Sequence, residues 1–287
     1  MLTNEKQIEQ QLKTVKSMMR DCLKDSSLSK LLSNNKNLLG SGKMLRSRLT
    51  LTIGNANNIE EQLLLHAAAA VDIIHGASLL HDDVIDGGVL RRGAPTFWEK
   101  YGISGAILLG DLLVFKALQL MGSANSPGLL RDLIEMSGEV CQSEVEQELM
   151  LRGTTGTWKE CEKVARYKTG SLFAFAAMAT ATDAPGQKEA LREAGFILGT
   201  AYQLADDVLD AMGSEEVSGK TLGTDHQRGK TTAITVTKNA PEDPVNYIYT
   251  LLDESGAKLD AWPELQEAWD SFLSMTMKPV LKKLLSS

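Results

Sequence analysis

Cysteine is scarce in this 287-residue chain, with Cys22, Cys141 and Cys161 far apart and odd in number. That excludes a disulfide framework. With no CxxC pair, a thiolate metal site is also excluded, and reduced thiols in the cytoplasm are expected. Aromatic residues make up only 5%, and alternating apolar and polar runs of strand length are few, which argues against a β-fold. Positive charge is in deficit: 30 Lys and Arg against 37 Asp and Glu leave a formal net charge of -7. No broad basic field is there to draw in nucleic acid. The opening MLTNEKQIEQQLKTVK lacks the basic-then-apolar pattern of a leader. Long uninterrupted apolar runs are missing too. The most apolar window, Leu63 to Leu80, contains His66, Asp72 and His75, so no transmembrane segment is expected.

What remains is a helical pattern. Hydrophobic residues make up 43% and charged residues 23%, a mix that supports a sizeable core. Periodicity and turn signals predict helices near 4–24, 44–53, 59–86, 103–122, 127–151, 158–182, 187–212 and 245–256, with one or two more before the end. Asn58 with Glu61 and Thr157 with Glu160 read as capping boxes. The breaks, such as NLLGSG, GGVLRRGAP and GSEEVSGKTLGTDHQRGK, do not resemble domain linkers. The expectation is an all-α bundle of about ten or more helices around a central cavity, with residues 1–287 as a single domain.

Two short acidic segments stand out. DDVID (Asp82, Asp83, Asp86) has a near copy in DDVLD (Asp206, Asp207, Asp210), and each closes an apolar helical run. Positions i and i+4 share a helix face, so Asp82 points with Asp86 and Asp206 with Asp210. Such like-charge pairs cost roughly 0.2–0.5 kcal/mol even when exposed. Burial raises the cost unless a cation is bound or protons are taken up. Hard oxygen ligands without nearby thiolate favour Mg²⁺, which is usually held by one or two carboxylates plus substrate phosphates. Two acidic walls facing each other across a bundle would therefore hold Mg²⁺ on a diphosphate.

A diphosphate also needs basic residues. Candidates are Lys43 and Arg46 in GSGKMLRS, Arg91 and Arg92 after the first acidic segment, Lys168 before Thr169 in RYKTGSL, and Lys220 and Lys230 after the second. Arginine suits bidentate phosphate contact and lysine acts as a point charge. GSGK is not a P-loop, because the GxxxxGK[ST] spacing is missing and no strand precedes it.

Taken in order, GSGKMLR, HGASLLHDDVIDGGVLRRG, YKTGSL, YQLADDVLD and GKTLGTDHQRGKTT resemble the polyprenyl synthetase family of trans-isoprenyl diphosphate synthases, from about Leu38 to Lys230. The resemblance implies an all-α fold around a deep cavity, usually in a homodimer, and head-to-tail condensation of isopentenyl diphosphate with an allylic diphosphate. It implies Mg²⁺, three ions per site, bound directly by Asp82, Asp86 and Asp206, with Asp83, Asp207 and Asp210 in support. It assigns Arg91, Lys168, Lys220 and Lys230 to the allylic diphosphate. Lys43, Arg46, His75 and Arg92, with the backbone of Gly42, go to isopentenyl diphosphate. Thr169 and Gln203 fall near the reacting carbons. The pattern departs at Ser41, where a glycine is common, and at Ser47, where a proline is common.

In such enzymes the residues one turn before the first acidic motif gate the product tunnel. Here they are Ala77 and Ser78, both small. The way is then open toward Ile74, Val71 and Ala67–Ala70, about 15 Å of helix at ~1.5 Å per residue. A long-chain product is expected, with peripheral membrane contact for its release. Geranylgeranyl diphosphate is the alternative, should Phe115 or Met121 close the tunnel. Rival classes are an HD-type metal phosphohydrolase built on His81-Asp82, a terpene cyclase, and a non-catalytic subunit of a heteromeric synthase. The hydrolase leaves DDVLD and RRG unexplained. The cyclase needs no second cationic site, and a non-catalytic subunit should have lost aspartates.

Overall fold

The computed structural model describes residues 2–24, 28, 39–154, 156–212 and 240–285. The order is α1 (Leu2–Asp21), α2 (Leu45–Ala56), α3 (Glu61–Ile85), β1 (Leu90–Arg91), β2 (Ala94–Pro95), α4 (Phe97–Gly122), α5 (Pro127–Glu146), α6 (Trp158–Ala165), α7 (Ser171–Met178), α8 (Gln187–Met212), α9 (Pro244–Ala257), α10 (Pro263–Phe272) and α11 (Lys278–Leu285). Among the described residues, β1 and β2 form the one sheet, a two-stranded antiparallel ribbon pairing Leu90 with Pro95 and Arg91 with Ala94. The all-α expectation is met.

α7 shows how the core is organised. All eight of its residues, SLFAFAAM, are buried, as befits a helix that is apolar all round. Leu172, Ala174, Phe175 and Met178 pack into one cluster with α1, α3, α4 and α5. Phe173, Ala176 and Ala177 pack into a second with α2, α6, α8, α9, α10 and α11. α7 therefore joins the two halves of the core, and Lys168 and Thr169 lie immediately before it.

α8 can lie this close to α7 because Gly195 has no side chain. A Cβ there would fall 2.5 Å from the Phe173 carbonyl oxygen and 2.7 Å from the Ala174 nitrogen. Both are backbone atoms and cannot swing away.

Several predicted boundaries shift. The pattern over 127–151 and 158–182 is broken by single π-helical turns at Gln147–Leu151 and Arg166–Gly170. Such turns cluster at functional sites, because they re-aim side chains. α4 begins at Phe97 rather than at 103, with Gly102 out of helical geometry (φ 79°, ψ 162°) between its two parts. The Thr157–Glu160 capping box forms. The Asn58–Glu61 box does not. Asn58 has positive φ, Glu60 caps the helix instead by accepting from the amides of Gln62 and Leu63, and Glu61 accepts from Gln11 at 3.0 Å.

Gly195→Ala is expected to destabilise the protein by roughly 1–3 kcal/mol through overpacking. Urea unfolding followed by circular dichroism reads this as a lowered midpoint with an unchanged slope.

Candidate functional site

α3 presents one stripe to a cavity of about 450 Å³: Asp72, His75, Leu79, Asp82, Asp83 and Asp86 all line it. Asp72, His75, Leu79, Asp82 and Asp86 are spaced three and four apart, the helical repeat that places side chains on a common face, and Asp83 adjoins that face. From α8 come Tyr202, Gln203, Asp206 and Asp207. The two acidic segments thus open into the same cavity. Asp210 is in the last turn of α8, and its side chain lies outside the described residues, as do Lys220 and Lys230.

The end of α3 is shaped by its glycines. Gly87 has φ +62°, and the amides of Gly87 and Gly88 return to the carbonyls of Val84 (3.3 Å) and Asp83 (3.0 Å). This is a Schellman closure, which requires the left-handed conformation at the first position after the cap. The Gly88 carbonyl is then held by Thr96 Oγ1 and Trp98 Nε1, both at 2.8 Å. Arg92 and Gly93 form the tip of the ribbon, both with positive φ, as a tight hairpin turn demands. The chain doubles back, and Arg91 Nε donates to Asp83 Oδ1 at 2.7 Å. Asp83 is buried, so one member of the first acidic set is already neutralised within the protein.

Lys168 occupies the opposite wall, on the π turn before α7. It pairs with Glu144 of α5. Burial works against its charge, but Asp82, Glu144 and Asp86 outweigh burial and push its pKa above the ordinary lysine value. Asp82 is likewise pushed up, to about 6, first by burial and then by the negative charge of Glu144 and Asp86, against the pull of Lys168 and Arg91. An acid with this much neighbouring negative charge is poised for a cation.

Magnesium fits the donor set. Among the described residues no three carboxylate, imidazole or thiol side chains form a closed cage. Mg²⁺ does not need one, since it keeps waters and takes one or two carboxylates plus phosphate oxygens.

The remaining cations gather on the α2 side. Arg46 is buried, with its guanidinium 4.7 Å from the centre of the Phe173 ring and its Nε without a hydrogen-bond partner. Arg92 Nη1 donates to Ser41 Oγ. A Cβ on Gly42 would lie 2.5 Å from the Arg92 Nη2, so glycine there lets the guanidinium close on the backbone. Lys43 lines the cavity and senses both Lys283 and Asp206. The pKa of His75 is held well below the ordinary value, first by burial and then by Arg46, Arg91 and Arg92, so the ring is neutral at neutral pH. Thr169 Oγ1 donates to Gln203 Oε1, and Gln203 Nε2 donates to Asp207 Oδ1 at 2.8 Å. That chain fixes the amide beside the second acidic wall.

Ser78 lines the cavity, while Ala77 is buried in the core. Leu79, Val140 and Leu172 are among the apolar residues that line the cavity. Val71, Ile74 and Ala67–Ala70 are buried and are not among the lining residues. Phe115 is 64% exposed and Met121 is packed in the core, so neither side chain reaches the cavity. Sequence reasoning missed Asp72, Glu144, Gln147 and Tyr202, which also line it. A signal for Glu144 existed: a buried Lys168 requires a carboxylate partner, and α5 supplies one. His66 contacts the Gln62 carbonyl at 2.6 Å in its own helix, and His81 lies 3.2 Å from the Ile107 carbonyl, both outside the cavity lining, which leaves the HD-type hydrolase with His75 alone there.

A helical bundle with two acidic walls and a ring of cations around one cavity defines a protein built to hold a polyanion together with divalent metal. Residues 28–265 match the polyprenyl synthetase family model, and the chain belongs to that family. It is similar to octaprenyl diphosphate synthase of Haemophilus influenzae, 34% identical over 196 residues, covering 67% of this chain and 60% of that one. It is also similar to a short chain isoprenyl diphosphate synthase of Methanocaldococcus jannaschii, 32% identical over 250 residues, covering 83% and 75% of the two chains. The match thus spans about 60% of the length of the octaprenyl relatives. Among solved structures, a polyprenyl synthase from Caulobacter crescentus complexed with calcium and isoprenyl diphosphate superposes with a TM-score of 0.74 at 30% identity, covering 98% of this chain and 95% of that one.

The depressed pKa of His75 predicts a pH dependence. Below the ordinary value of 6.5 the unfolded chain binds a proton that the folded chain refuses. The stability contribution is therefore present above pH 6.5 and lost as pH falls. In chemical denaturation between pH 7.5 and 5, His75→Gln is expected to flatten that part of the slope.

Proposed function

We propose that the protein is a trans-isoprenyl diphosphate synthase that condenses isopentenyl diphosphate head to tail with an allylic diphosphate. The observation that carries this is the meeting of both acidic segments with Lys168, Arg46, Arg91 and Arg92 around one cavity. The family membership supports it, as does the isoprenyl diphosphate in the Caulobacter structure.

Arg91 and Lys168 hold the allylic diphosphate, and Arg46, Lys43, Arg92 and neutral His75 hold that of isopentenyl diphosphate. Asp82, Asp86 and Asp206 would hold Mg²⁺, with Asp83, Asp207 and Asp210 in support. Bound there, the metal supplies Lewis-acid neutralisation of the departing diphosphate. The cationic side chains stabilise the charge that develops on it as the allylic C–O bond breaks. Thr169 and Gln203, which line the cavity, supply polar oxygens near the resulting allylic cation, and Leu79, Val140 and Leu172 keep water from it. The double bond of isopentenyl diphosphate then attacks. The released diphosphate takes the proton lost in forming the new double bond, so no protein base is assigned.

The small residues Ala77 and Ser78 favour a long product. Growth along Ile74 and Val71, which are buried and do not line the cavity, requires α3 to part from its neighbours. The relatives' names span octaprenyl to short-chain synthases, so chain length is read from the product itself. With isopentenyl diphosphate, Mg²⁺ and geranyl, farnesyl or geranylgeranyl diphosphate in turn, the wild type is expected to give polyprenyl diphosphates resolved by chromatography. Asp82→Ala and Asp206→Ala are each expected to lose roughly hundredfold or more in rate. Full activity in either overturns the reading.

We further propose a homodimer through α4. One face of α4 packs on α3, while Ile103, Ile107, Leu108 and Phe115 stay exposed, as do Ile134 and Val145 of α5 and Leu149 and Met150 of the π turn after it. Exposed apolar area of this extent marks an interaction site, and a long helix face can pair with its own copy about a two-fold axis. α4 is long and apolar enough to cross a membrane by length and composition alone, so vesicle binding is the competing outcome. Light scattering is expected to give twice the 31.2 kDa chain mass for wild type and a lighter species for Leu108→Glu. A monomeric wild type that sediments with phospholipid vesicles would refute the dimer.

A further inference from the structure

Two serines stand where the family pattern commonly has a glycine and a proline; one meets Arg92 and the other a carboxylate of α3. Ser41 Oγ accepts from Arg92. Ser47 is fully buried in the first turn of α2. Its hydroxyl does not serve its own helix. It crosses to α3, donating to Asp72 Oδ2 and lying 2.9 Å from the Ala68 carbonyl oxygen. A proline at this position would have no hydroxyl to offer.

Asp72 is a buried acid of α3 one turn before His75, and it lines the cavity. Its carboxylate lies near enough to both guanidinium groups for Arg46 and Arg92 each to sense its charge. Arg46 has Phe173 under its face and a buried Nε with no acceptor, so packing sets the plane of its guanidinium. An arginine buried in this way needs a counter-charge close by, held where it cannot collapse onto the guanidinium and block it. Charge-assisted hydrogen bonds are among the stronger ones, and a hydroxyl on a carboxylate oxygen limits its rotation.

We infer that Ser47 and Asp72 form a positioning pair, in which the Ser47 hydroxyl fixes the Asp72 carboxylate and the carboxylate sets Arg46 and Arg92 for the diphosphate of isopentenyl diphosphate. The inference rests on the proposed assignment of that side of the cavity. Neither residue touches substrate. Both act through the two arginines, and the allylic side, built on Lys168 and Arg91, is outside their reach.

The test is a double-mutant cycle of Ser47→Ala and Asp72→Asn, read as the KM for each substrate and as calorimetric binding of isopentenyl diphosphate alone. Ser47→Ala is expected to raise the KM for isopentenyl diphosphate roughly three- to tenfold, the effect of losing one hydrogen bond. The allylic KM should stay within about twofold. In the Asp72→Asn background, Ser47→Ala should change the KM for isopentenyl diphosphate by less than about twofold, because the hydroxyl acts only through the carboxylate. Equal rises in both KM values, an unchanged KM for isopentenyl diphosphate, or the same effect in both backgrounds would overturn the pair. Should Ser47→Ala fail to fold, Ser47→Cys keeps the size with a weak donor and should give the same split between substrates. A wild type that neither binds nor consumes isopentenyl diphosphate would instead defeat the assignment on which the pair depends.

Discussion

The structure turns on one electrostatic knot: Lys168 set among Asp82 and Asp86 of α3 and Glu144 of α5. Taking such charges out of water costs several kcal/mol per ion, offset only by close opposite charge. Burial, and after it the negative charge of Glu144 and Asp86, pushes the Asp82 carboxyl up to about 6 against the pull of Lys168 and Arg91. That crowding of negative charge is what a metal–diphosphate complex would relieve. A surface would dissipate it in solvent, whereas a cavity between helices preserves it.

Much of the fold serves to keep that knot assembled. α7, buried on every side, ties both halves of the core together directly after Lys168 and Thr169. The close approach at Gly195 brings α8, with Gln203, Asp206 and Asp207, alongside α7. The Schellman closure at Gly87 and Gly88 and the ribbon tip at Arg92 and Gly93 return Arg91 onto Asp83. Local backbone geometry thus decides which aspartate meets an arginine. Asp83 is already bound to an arginine, while Asp82 and Asp86 face the cavity.

The acidic segments, the RRG turn and the lysine before Thr169 were legible in the sequence because each is a local pattern with its own physical cost. Helix positions were legible for the same reason, to within a few residues in most places. The π turns at Gln147–Leu151 and Arg166–Gly170 were not, since one extra residue in a turn leaves the apolar periodicity almost unchanged. The Asn58–Glu61 box failed because Glu60 competes for the same amides and Gln11 draws Glu61 away. Glu144 and Asp72 were invisible as site residues because each looks like an ordinary carboxylate until its cationic partners arrive from another helix.

By itself, the order of residues determined the helical class, the two acidic faces and the inventory of cations, because helix periodicity and charge repulsion act over a few residues. Only the tertiary structure decided that both acidic faces share one cavity, that Ala77 turns into the core while Ser78 lines the cavity, and that Ser47 reaches Asp72. Those outcomes depend on how helices distant in sequence are rotated against one another, which is set by close packing across the whole core.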